Sequence, residues 1–326
     1  MAELKKLTVG VMTSGGDAPG MNAAIRAVVR TALANNMQAI GIINGYRGLL
    51  NGEFRPLGAR DVGSILQRGG TILQTSRSKR FEEPAGQREA IRNMNEAGID
   101  ALIVIGGEGS LMGAHALSQQ GIKVVGIPGS IDNDVWGTSI SVGTDTAMNT
   151  IMDAVDKLRD TASSHQRAFL VETMGRNCGY LAVMAGIVCG AEITLVPEVP
   201  VTVKEVADVI EDAYKRGKTH AIIINAEGSS IPTIDLAAEL DNMDVGFKTR
   251  MSILGHIQRG GSPTAFDRLL ASRMGVKAVE ALVEGKHGVM TGIHGEGVKF
   301  VPLEDVISNK REVNKEYYHM ARVLAR

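Results

Sequence analysis

The chain has 326 residues, of which 44% are hydrophobic and 22% are charged, a balance typical of a globular protein with a sizeable core. Its 35 lysines and arginines and 36 aspartates and glutamates leave a net charge of -1, which argues against nucleic acid or an anionic membrane surface as a partner. Two cysteines, Cys178 and Cys189, follow no metal-binding spacing and are too few for a disulfide scaffold. No apolar stretch is long enough to span a bilayer, and residues 1–6 lack the apolar run of a signal peptide, so we expect a cytoplasmic protein.

Short apolar runs alternate with stretches of helical periodicity along the chain. Residues 7–12 form an apolar run of strand length, and a glycine loop at 13–20 separates them from a helical pattern at 21–35. The same order recurs as a strand at 101–105, a glycine loop at 106–110 and a helix at 111–119. Further buried strands are predicted at 39–43, 123–127, 168–171 and 221–224. Continuous apolar strands separated by helices indicate a parallel sheet covered on both faces, so the sequence predicts an α/β, doubly wound fold.

Two helix starts carry recognisable caps. Ser262 followed by Pro263 predicts an N-cap and a first-turn proline ahead of a helix at 265–281. Thr202, with Glu205 three residues later, is typical of a capping box and predicts a helix at 203–216.

The two glycine loops, at 13–20 and 106–110, both follow predicted strands. Ligands of open α/β sheets bind at the carboxyl ends of the strands, and the helix N-terminus beyond each loop favours an anion. Neither loop matches the dinucleotide or P-loop fingerprint. A nucleotide site and a tight structural turn therefore both stay open, while a dinucleotide oxidoreductase is disfavoured because its glycine spacing is missing.

The segment at 128–134, Pro-Gly-Ser-Ile-Asp-Asn-Asp, places two carboxylates after a predicted strand. In an extended loop, Asp132 and Asp134 project to the same side. One carboxylate can then accept a proton from a substrate hydroxyl, and the other can position a sugar or a metal. The alternative is an Asx-turn, in which the aspartates bind backbone donors. The spacing alone does not decide between these interpretations.

Arginines in or near loops supply a third feature. They are Arg77, Arg167, Arg176, Arg250 and Arg259. A single surface arginine is usually only a solvated charge, but the planar guanidinium binds phosphate bidentately. Several of them in an α/β protein with glycine loops indicate a phosphorylated substrate. The segment at 256–261, which contains His256 and Arg259 ahead of a predicted helix, fits this interpretation best.

These segments, in this order, resemble the bacterial 6-phosphofructokinases of family A. The resemblance rests on six motifs: TSGGDAPGMN at 13–22, GGEGS at 106–110, PGSIDND at 128–134, SHQR at 164–167, ETMGR at 172–176 and GHIQRGGSP at 255–263. It extends over nearly the whole chain. It implies two Rossmann-like, doubly wound domains with mainly parallel sheets and the active site in the cleft between them. The larger, ATP-binding domain would comprise 1–142 and 256–305, and the smaller, sugar-phosphate-binding domain would comprise 143–255 and 306–326.

The resemblance implies that ATP phosphorylates the 1-hydroxyl of fructose 6-phosphate by direct in-line transfer, the committed step of glycolysis. Asp132 matches the catalytic base, Asp134 a neighbour that orients the sugar, Ser130 a hydroxyl near the transferred group, and Arg176 or Arg77 a cation near the γ-phosphate oxygens. The residues that match the nucleotide site are Gly16, Arg77, Ser78, Gly107, Glu108, Gly109 and Ser110. Those that match the sugar-phosphate site are Ser130, Ile131, Asp132, Arg167, Met174, Gly175, Arg176, Glu227, Arg250, His256 and Arg259.

The resemblance also concerns the phosphoryl donor and the metal. Pyrophosphate-dependent members tend to carry an acid where Gly109 stands and a lysine where Gly129 stands, so the two glycines favour ATP. Glu108 stands where the family has aspartate, at a position that matches a ligand of Mg²⁺, the implied cofactor. Because Mg²⁺ demands near-ideal octahedral geometry, the longer side chain predicts a reduced or altered magnesium dependence. Thr144 stands where an aromatic residue is more usual.

Shared active sites and an effector site are further implications of the resemblance. Arg167 and Arg250 match residues that reach the sugar phosphate from a neighbouring subunit, and the resemblance implies a homotetramer. The residues that match an effector site for ADP or phosphoenolpyruvate are Arg26, Arg30, Arg159, Glu192, Arg216 and Lys218. Thr219 stands where another lysine is frequent, which weakens the positive charge available to this site. Exposed helical arginines are otherwise usually just solvated.

Three alternatives stay open. They are a pyrophosphate-dependent enzyme of the same family, a phosphotransferase for a related sugar such as tagatose 6-phosphate, and a weakly active regulatory paralogue. The paralogue is suggested only by Glu108, and the presence of Asp132 and Asp134 argues against it, because a binding protein has no need of a base.

Overall fold

The computed structural model describes residues 7–325. Residues 1–6, on which the expectation of no signal peptide rests, lie outside the described residues. The strands are β1 (Thr8–Ser14), β2 (Gln38–Ile42), β3 (Phe54–Pro56), β4 (Ala101–Gly106), β5 (Lys123–Pro128), β6 (Arg167–Thr173), β7 (Ile193–Leu195), β8 (Ala221–Ala226), β9 (Lys248–Ile253), β10 (Val289–His294) and β11 (Gly297–Pro302). The α-helices are α1 (Met21–Ala34), α2 (Gly45–Asn51), α3 (Lys79–Glu82), α4 (Pro84–Glu96), α5 (Glu108–Gln119), α6 (Thr144–His165), α7 (Tyr180–Val188), α8 (Val203–Lys215), α9 (Thr233–Asn242), α10 (Ala265–Val283), α11 (Leu303–Ser308) and α12 (Lys315–Leu324).

The described chain divides into two compact units. The first comprises the residues up to Ile131, then Val135–Asp145 and Arg259–Lys310. The second comprises Asp132–Asp134, Thr146–Gln258 and the chain from Arg311 onward. The three residues Asp132–Asp134 thus pack with the second unit, although the residues on both sides of them pack with the first. Which unit binds ATP and which binds the sugar phosphate stays a prediction.

The first unit is built on a seven-stranded sheet with the order β11-β10-β5-β4-β1-β2-β3. Its five central strands run parallel, and the edge strands β3 and β11 run antiparallel to their neighbours. Every residue of β1 and β4 is buried, as expected for strands covered by helices on both faces. The order of the strands reverses between β1 and β4, which makes this pair the switch point of the sheet. Helix α1 packs against α10, and α5 packs against α11.

The second unit is built on a four-stranded sheet with the order β7-β8-β6-β9. All of its strand pairs are parallel. A core that includes Leu170, Val206, Ile223 and Leu236 lies between this sheet and its helices, and α7 packs against α12. Two mainly parallel sheets with helices confirm the predicted α/β, doubly wound fold class.

Two local predictions are corrected by the structure. Helix α10 is capped by Thr264, because its hydroxyl accepts a hydrogen bond from the amide of Asp267 at 3.2 Å and donates one to Asp145 at 2.6 Å. The prediction that Ser262 caps this helix is therefore wrong. Residues 108–110, predicted as part of a loop, form the first turn of α5 after the N-cap Gly107.

Both cysteines are buried free thiols. Burial is the main cause that raises the pKa of Cys178 and of Cys189 to about 11, so neither thiol is ionised at neutral pH. Within residues 7–325, no helix is long and apolar enough to cross a bilayer.

The predicted capping box at the start of α8 is confirmed, because the Thr202 hydroxyl accepts from the amide of Glu205 at 3.3 Å and the Glu205 carboxylate accepts from the amide of Thr202 at 2.7 Å. We expect Thr202→Ala to lower the free energy of unfolding by about 1 kcal/mol, since it leaves a helix donor without its partner. Urea denaturation followed by circular dichroism measures the change. Lys204→Gln, an exposed change in the same turn that keeps the cap, is the control. An unchanged unfolding midpoint for Thr202→Ala would show that the cap is not stabilising.

Candidate active site

Three loops leave the first sheet at neighbouring positions of its carboxyl edge. In the pairing register, Ser14 at the end of β1 lies opposite Gly106 at the end of β4. Gly106 in turn lies opposite Pro128 at the end of β5. The β1–β4 pair is the switch point, where ligands of open α/β sheets bind. The two predicted glycine loops and the Ser130 loop therefore begin side by side at this edge.

The β4–α5 connection presents a helix N-terminus with little side-chain bulk. A Cβ at Gly109 would meet no atom within 4 Å, and a Cβ at Gly107 would lie 3.6 Å from that of Ser130. The carbonyl of Ser110 accepts a hydrogen bond from the buried Tyr46 hydroxyl at 2.6 Å, which anchors this first turn. Open space and the positive end of the helix dipole together have the chemistry of an anion site.

The β1 loop lies against an arginine from the segment before α10. Nη1 of Arg259 donates to the carbonyl of Asp17 at 3.2 Å, and a Cβ at Gly16 would overlap this guanidinium. Glycine at position 16 thus allows close approach of the arginine to the loop. The structure places Arg259 with a predicted nucleotide residue in the first unit, whereas the resemblance assigns it to the sugar phosphate.

The segment that carries Arg77 and Ser78 is tied to the same loop. Thr75 donates its hydroxyl proton to the carbonyl of Gly15 at 2.7 Å. Ser78 is the N-cap of α3 and accepts from the amide of Phe81 at 3.3 Å, so its hydroxyl already has a structural role. Arg77 is exposed, which leaves its guanidinium available to a ligand.

The loop with the two aspartates is not extended. Ile131 and Asp132 form a turn, and Asn133 has a positive φ of 51°. The expectation of an extended loop is therefore wrong, and the left-handed residue between the aspartates removes the strand-like alternation from which their common side was predicted. Asp132 and Asp134 are half-buried, and Oδ1 of Asp132 is itself buried. Partly desolvated carboxylates of this kind can accept a proton or orient hydroxyl groups.

Thr144, which departs from the family pattern, supports this loop from the start of α6. Its hydroxyl donates to the carbonyl of Ser130 at 3.0 Å, and its side chain is buried. The amide of the preceding Gly143 donates to the carboxylate of Asp267 at 2.9 Å. Thr144 thus supports the loop through a hydrogen bond to its backbone.

The second unit collects several predicted sugar-phosphate residues at the carboxyl edge of its own sheet. Thr173 and Ala226 pair at the ends of β6 and β8, so Met174 and Glu227 follow at adjacent positions. The amide of Glu227 donates to the carbonyl of Thr173 at 2.9 Å. The amide of Met174 donates to the side chain of Gln258 at 3.2 Å, which fixes the segment that contains His256. Arg176 and His256 are exposed at this edge.

Arg167 and Arg250 lie at the other end of the same sheet. Arg167 is the first residue of β6, and Arg250 pairs with Phe169 in β9. Six residues of strand separate Arg167 from Thr173, a distance of about 20 Å. The structure therefore does not bring these two arginines to the edge that carries Met174 and Glu227.

The predicted effector residues of the second unit form part of a polar network. The buried Glu192 forms an ion pair with Lys218 at 3.0 Å and accepts from the amide of Ile222. Arg159 hydrogen-bonds the ring of His220 at 3.2 Å and donates to a backbone carbonyl nearby. Burial and the neighbouring Arg159 charge lower the pKa of His220.

Within the described chain, the other predicted effector residues, Arg216, Arg26 and Arg30, form no hydrogen bond or ion pair with Glu192, Lys218 or Arg159. Arg216 pairs with Asp212 one turn away on α8, at 2.9 Å. Arg26 and Arg30 belong to α1 in the first unit.

One residue next to the aspartate loop was missed by the sequence analysis. Nη1 of Arg311 donates to Oδ1 of Asn133 at 3.1 Å, and its guanidinium lies over the ring of Tyr180, 5.6 Å from the centroid. No sequence signal marks this contact, because Arg311 belongs to no glycine loop or strand end.

A magnesium ion is the cofactor that the resemblance implies. Within residues 7–325, no group of three or more His, Cys, Asp or Glu side chains could hold a metal ion by itself. Mg²⁺ is usually held by one or two carboxylates together with substrate phosphates and water. The half-buried Glu108, in the first turn of α5 beside the anion site, fits that mode of binding.

Comparison with known proteins gives a consistent result. The family model described as Phosphofructokinase matches residues 8–282. The ATP-dependent 6-phosphofructokinase of Thermotoga neapolitana is 50% identical over 318 residues, which are 97% of this chain and 99% of that protein. That of Clostridioides difficile is 49% identical over 318 residues, with 98% and 99% covered. The crystal structure of Pichia pastoris phosphofructokinase is similar with a TM-score of 0.90 and 37% identity, over 94% of this chain and 36% of that longer one.

Proposed function

Because this chain belongs to the phosphofructokinase family, we propose that it transfers the γ-phosphoryl group of ATP to the 1-hydroxyl of fructose 6-phosphate. The observation that carries the proposal is the meeting of three loops at the β1–β4 switch point, where Ser14, Gly106 and Pro128 lie in neighbouring register. The β4–α5 loop offers open space for phosphates at Gly109, the β1 loop lies against the guanidinium of Arg259, and the loop after β5 leads directly to the two aspartates. The products are fructose 1,6-bisphosphate and ADP.

ATP as donor is supported by the two glycines at which pyrophosphate-dependent members differ. Position 109 has no neighbour within 4 Å of a Cβ, so this space is left for the donor. A Cβ at position 129 would lie 3.3 Å from Met21 and 3.4 Å from Ile105, so a larger side chain there needs rearrangement. The curated relatives with about half of their residues identical are named ATP-dependent.

In this mechanism the protein positions the two substrates and neutralises charge, with little covalent work of its own. Asp132 accepts the proton of the 1-hydroxyl as that oxygen attacks the γ-phosphorus in line with the leaving ADP. Asp134 orients the sugar, and Ser130 lies close to the transferred group. Arg77 and Arg176 offset the charge that spreads over the equatorial oxygens. Transfer is direct, without a phosphoenzyme.

Glu108 would hold Mg²⁺, which would supply positive charge to neutralise the phosphates of the donor. Its longer side chain places the carboxylate roughly one carbon–carbon bond farther out than an aspartate would. We expect Glu108→Asp to lower the magnesium concentration for half-maximal activity by up to about tenfold, because octahedral geometry is restored more closely. Magnesium titrations of the initial rate measure this. The control is Glu96→Asp, the same change at an exposed position of α4; equal titration curves for wild type and Glu108→Asp would place residue 108 away from the metal.

The proposal is tested by an assay of the purified protein with each donor and acceptor. Fructose 6-phosphate and tagatose 6-phosphate are supplied in turn with ATP, and fructose 6-phosphate is then supplied with pyrophosphate. We expect the highest kcat/KM for ATP with fructose 6-phosphate. A preference for pyrophosphate or for tagatose 6-phosphate would replace the proposal with the corresponding alternative, and inactivity with every pair would favour a regulatory paralogue.

Subunit arrangement, regulation and location complete the proposal. The position of Arg167 and Arg250 at the far end of the second sheet supports a role in the active site of a neighbouring subunit, as in the predicted homotetramer. The network of Arg159, Glu192 and Lys218 supports a site for an anionic effector such as ADP or phosphoenolpyruvate. We propose that the enzyme acts in the cytoplasm.

A further inference from the structure

Asn133, the residue between the two aspartates, is held in an unusual conformation. It is 0% exposed and has a φ of 51°. The left-handed region is unfavourable for residues with a Cβ, although asparagine tolerates it better than most. Such a conformation persists only where surrounding contacts enforce it.

Arg311 supplies one of these contacts from a distant part of the chain. Its Nη1 donates to Oδ1 of Asn133 at 3.1 Å across a sequence separation of 178 residues. A hydrogen bond from a charged guanidinium is roughly twice as strong as a neutral one. Asn133 also hydrogen-bonds Tyr180, the first residue of α7. The buried amide is therefore tied to two other segments of the second unit.

The surroundings of Arg311 fix its guanidinium in turn. The group stacks over the ring of Tyr180, 5.6 Å from its centroid. Burial lowers the pKa of Arg311, while the nearby negative charge of Asp134 acts in the opposite direction. A guanidinium remains charged at neutral pH even so. The half-buried Arg311 guanidinium thus donates to the residue between the aspartates, and the negative charge of Asp134 favours its charged form.

We propose that Arg311 is a positioning residue for phosphoryl transfer, which fixes the turn at Asn133 and so holds the carboxylates of Asp132 and Asp134 in place before the sugar binds. This inference rests on the proposed role of Asp132 as base. Arg311 does not touch the reacting atoms; it acts through Asn133 and the charge of Asp134. The position of these carboxylates matters, since a displacement of about 1 Å can lower the rate about 100-fold.

The first test is Arg311→Met, which keeps an unbranched apolar side chain against Tyr180 but removes the charge and the donors. We expect kcat to fall by about 30- to 100-fold, with the KM for ATP and the melting temperature nearly unchanged. Arg311→Lys restores the charge without the planar fork and should recover part of kcat. Lys310→Gln, at the exposed neighbouring position, is the control and should behave as wild type.

The second test asks whether the effect passes through Asn133. Asn133→Gly removes the amide but keeps the left-handed backbone, which glycine adopts without strain. We expect Asn133→Gly to lower kcat about as much as Arg311→Met does, and the double variant to be no worse than either. Wild-type kcat in Arg311→Met, fully additive losses, or a loss explained by unfolding with unchanged kcat per folded enzyme would overturn the proposal.

The turnover of Asp132→Asn, measured in the same assay, distinguishes failure of the proposed base from failure of the positioning role of Arg311. If Asp132→Asn is inactive and Arg311→Met is normal, only the positioning role fails. If Asp132→Asn retains full turnover, the proposed base fails, and the role of Arg311 fails with it.

Discussion

Replacement of Asp132 by asparagine is expected to lower kcat by about two to four orders of magnitude, the usual contribution of a general base. Asparagine has nearly the same volume, but its amide cannot accept the proton of the 1-hydroxyl. Because Asp132 is only half-buried, the variant should fold and should bind both substrates with little change in KM. Steady-state rates from a coupled assay, together with the melting temperature, measure both properties.

The matched control is Asp153→Asn, which removes the same charge from an exposed residue of α6 that pairs with Lys157. It should retain wild-type kcat. Turnover of Asp132→Asn within tenfold of wild type would rule out the assigned base, since a residual rate that high leaves no room for proton transfer to this carboxylate.

Gly109→Asp is expected to reduce kcat/KM for ATP by at least about 100-fold, because a like charge placed against the phosphates costs several kcal/mol. The protein itself has room for the side chain, since no atom lies within 4 Å of a Cβ at this position. Residue 109 lies in the first turn of α5, where an acidic side chain favours the helix. The melting temperature should therefore stay the same or rise while activity with ATP falls. Kinetics with varied ATP, together with thermal unfolding, measure this combination.

Gly109→Ala separates volume from charge and should lower kcat/KM for ATP much less than the aspartate does. Equal losses in the two variants would show that space rather than charge decides donor binding. Wild-type kinetics in both variants would place the phosphates away from α5.

The central strands of the fold could be predicted because the apolar stretches within 101–105 and 123–127 are of strand length and too short for a buried helix. The hairpin of β10 and β11 was missed, although Gly295, with a φ of 59°, marks its turn. In β11, exposed residues alternate with half-buried ones and only Val301 is buried, so this strand forms no continuous apolar run. β3 and β7 have three residues each, which is too short for any pattern.

Helix ends show how tertiary contacts override local signals. Ser262-Pro263 and Thr264 are both plausible starts for α10, and the hydrogen bond from Thr264 to Asp145 favours the second. Residue 108 was predicted to lie in a loop, but it is the first residue of α5 because Gly107 is the N-cap.

Most residues of the candidate site could be predicted from the sequence because they stand in compact motifs beside strand ends. The geometry of these residues could not be predicted from the sequence. The left-handed Asn133 turns the aspartate loop in a way that spacing cannot reveal, and Arg311 reaches that loop from the other end of the chain. The roles of individual residues stay predictions.

The most direct test of the account uses ATP that is chiral at the γ-phosphorus through oxygen isotopes, with fructose 6-phosphate as acceptor. The configuration of the 1-phosphate in the product is then determined by phosphorus NMR. The account predicts fructose 1,6-bisphosphate with inverted configuration, because one in-line transfer inverts the phosphorus. Retention of configuration, or the absence of fructose 1,6-bisphosphate, would contradict it.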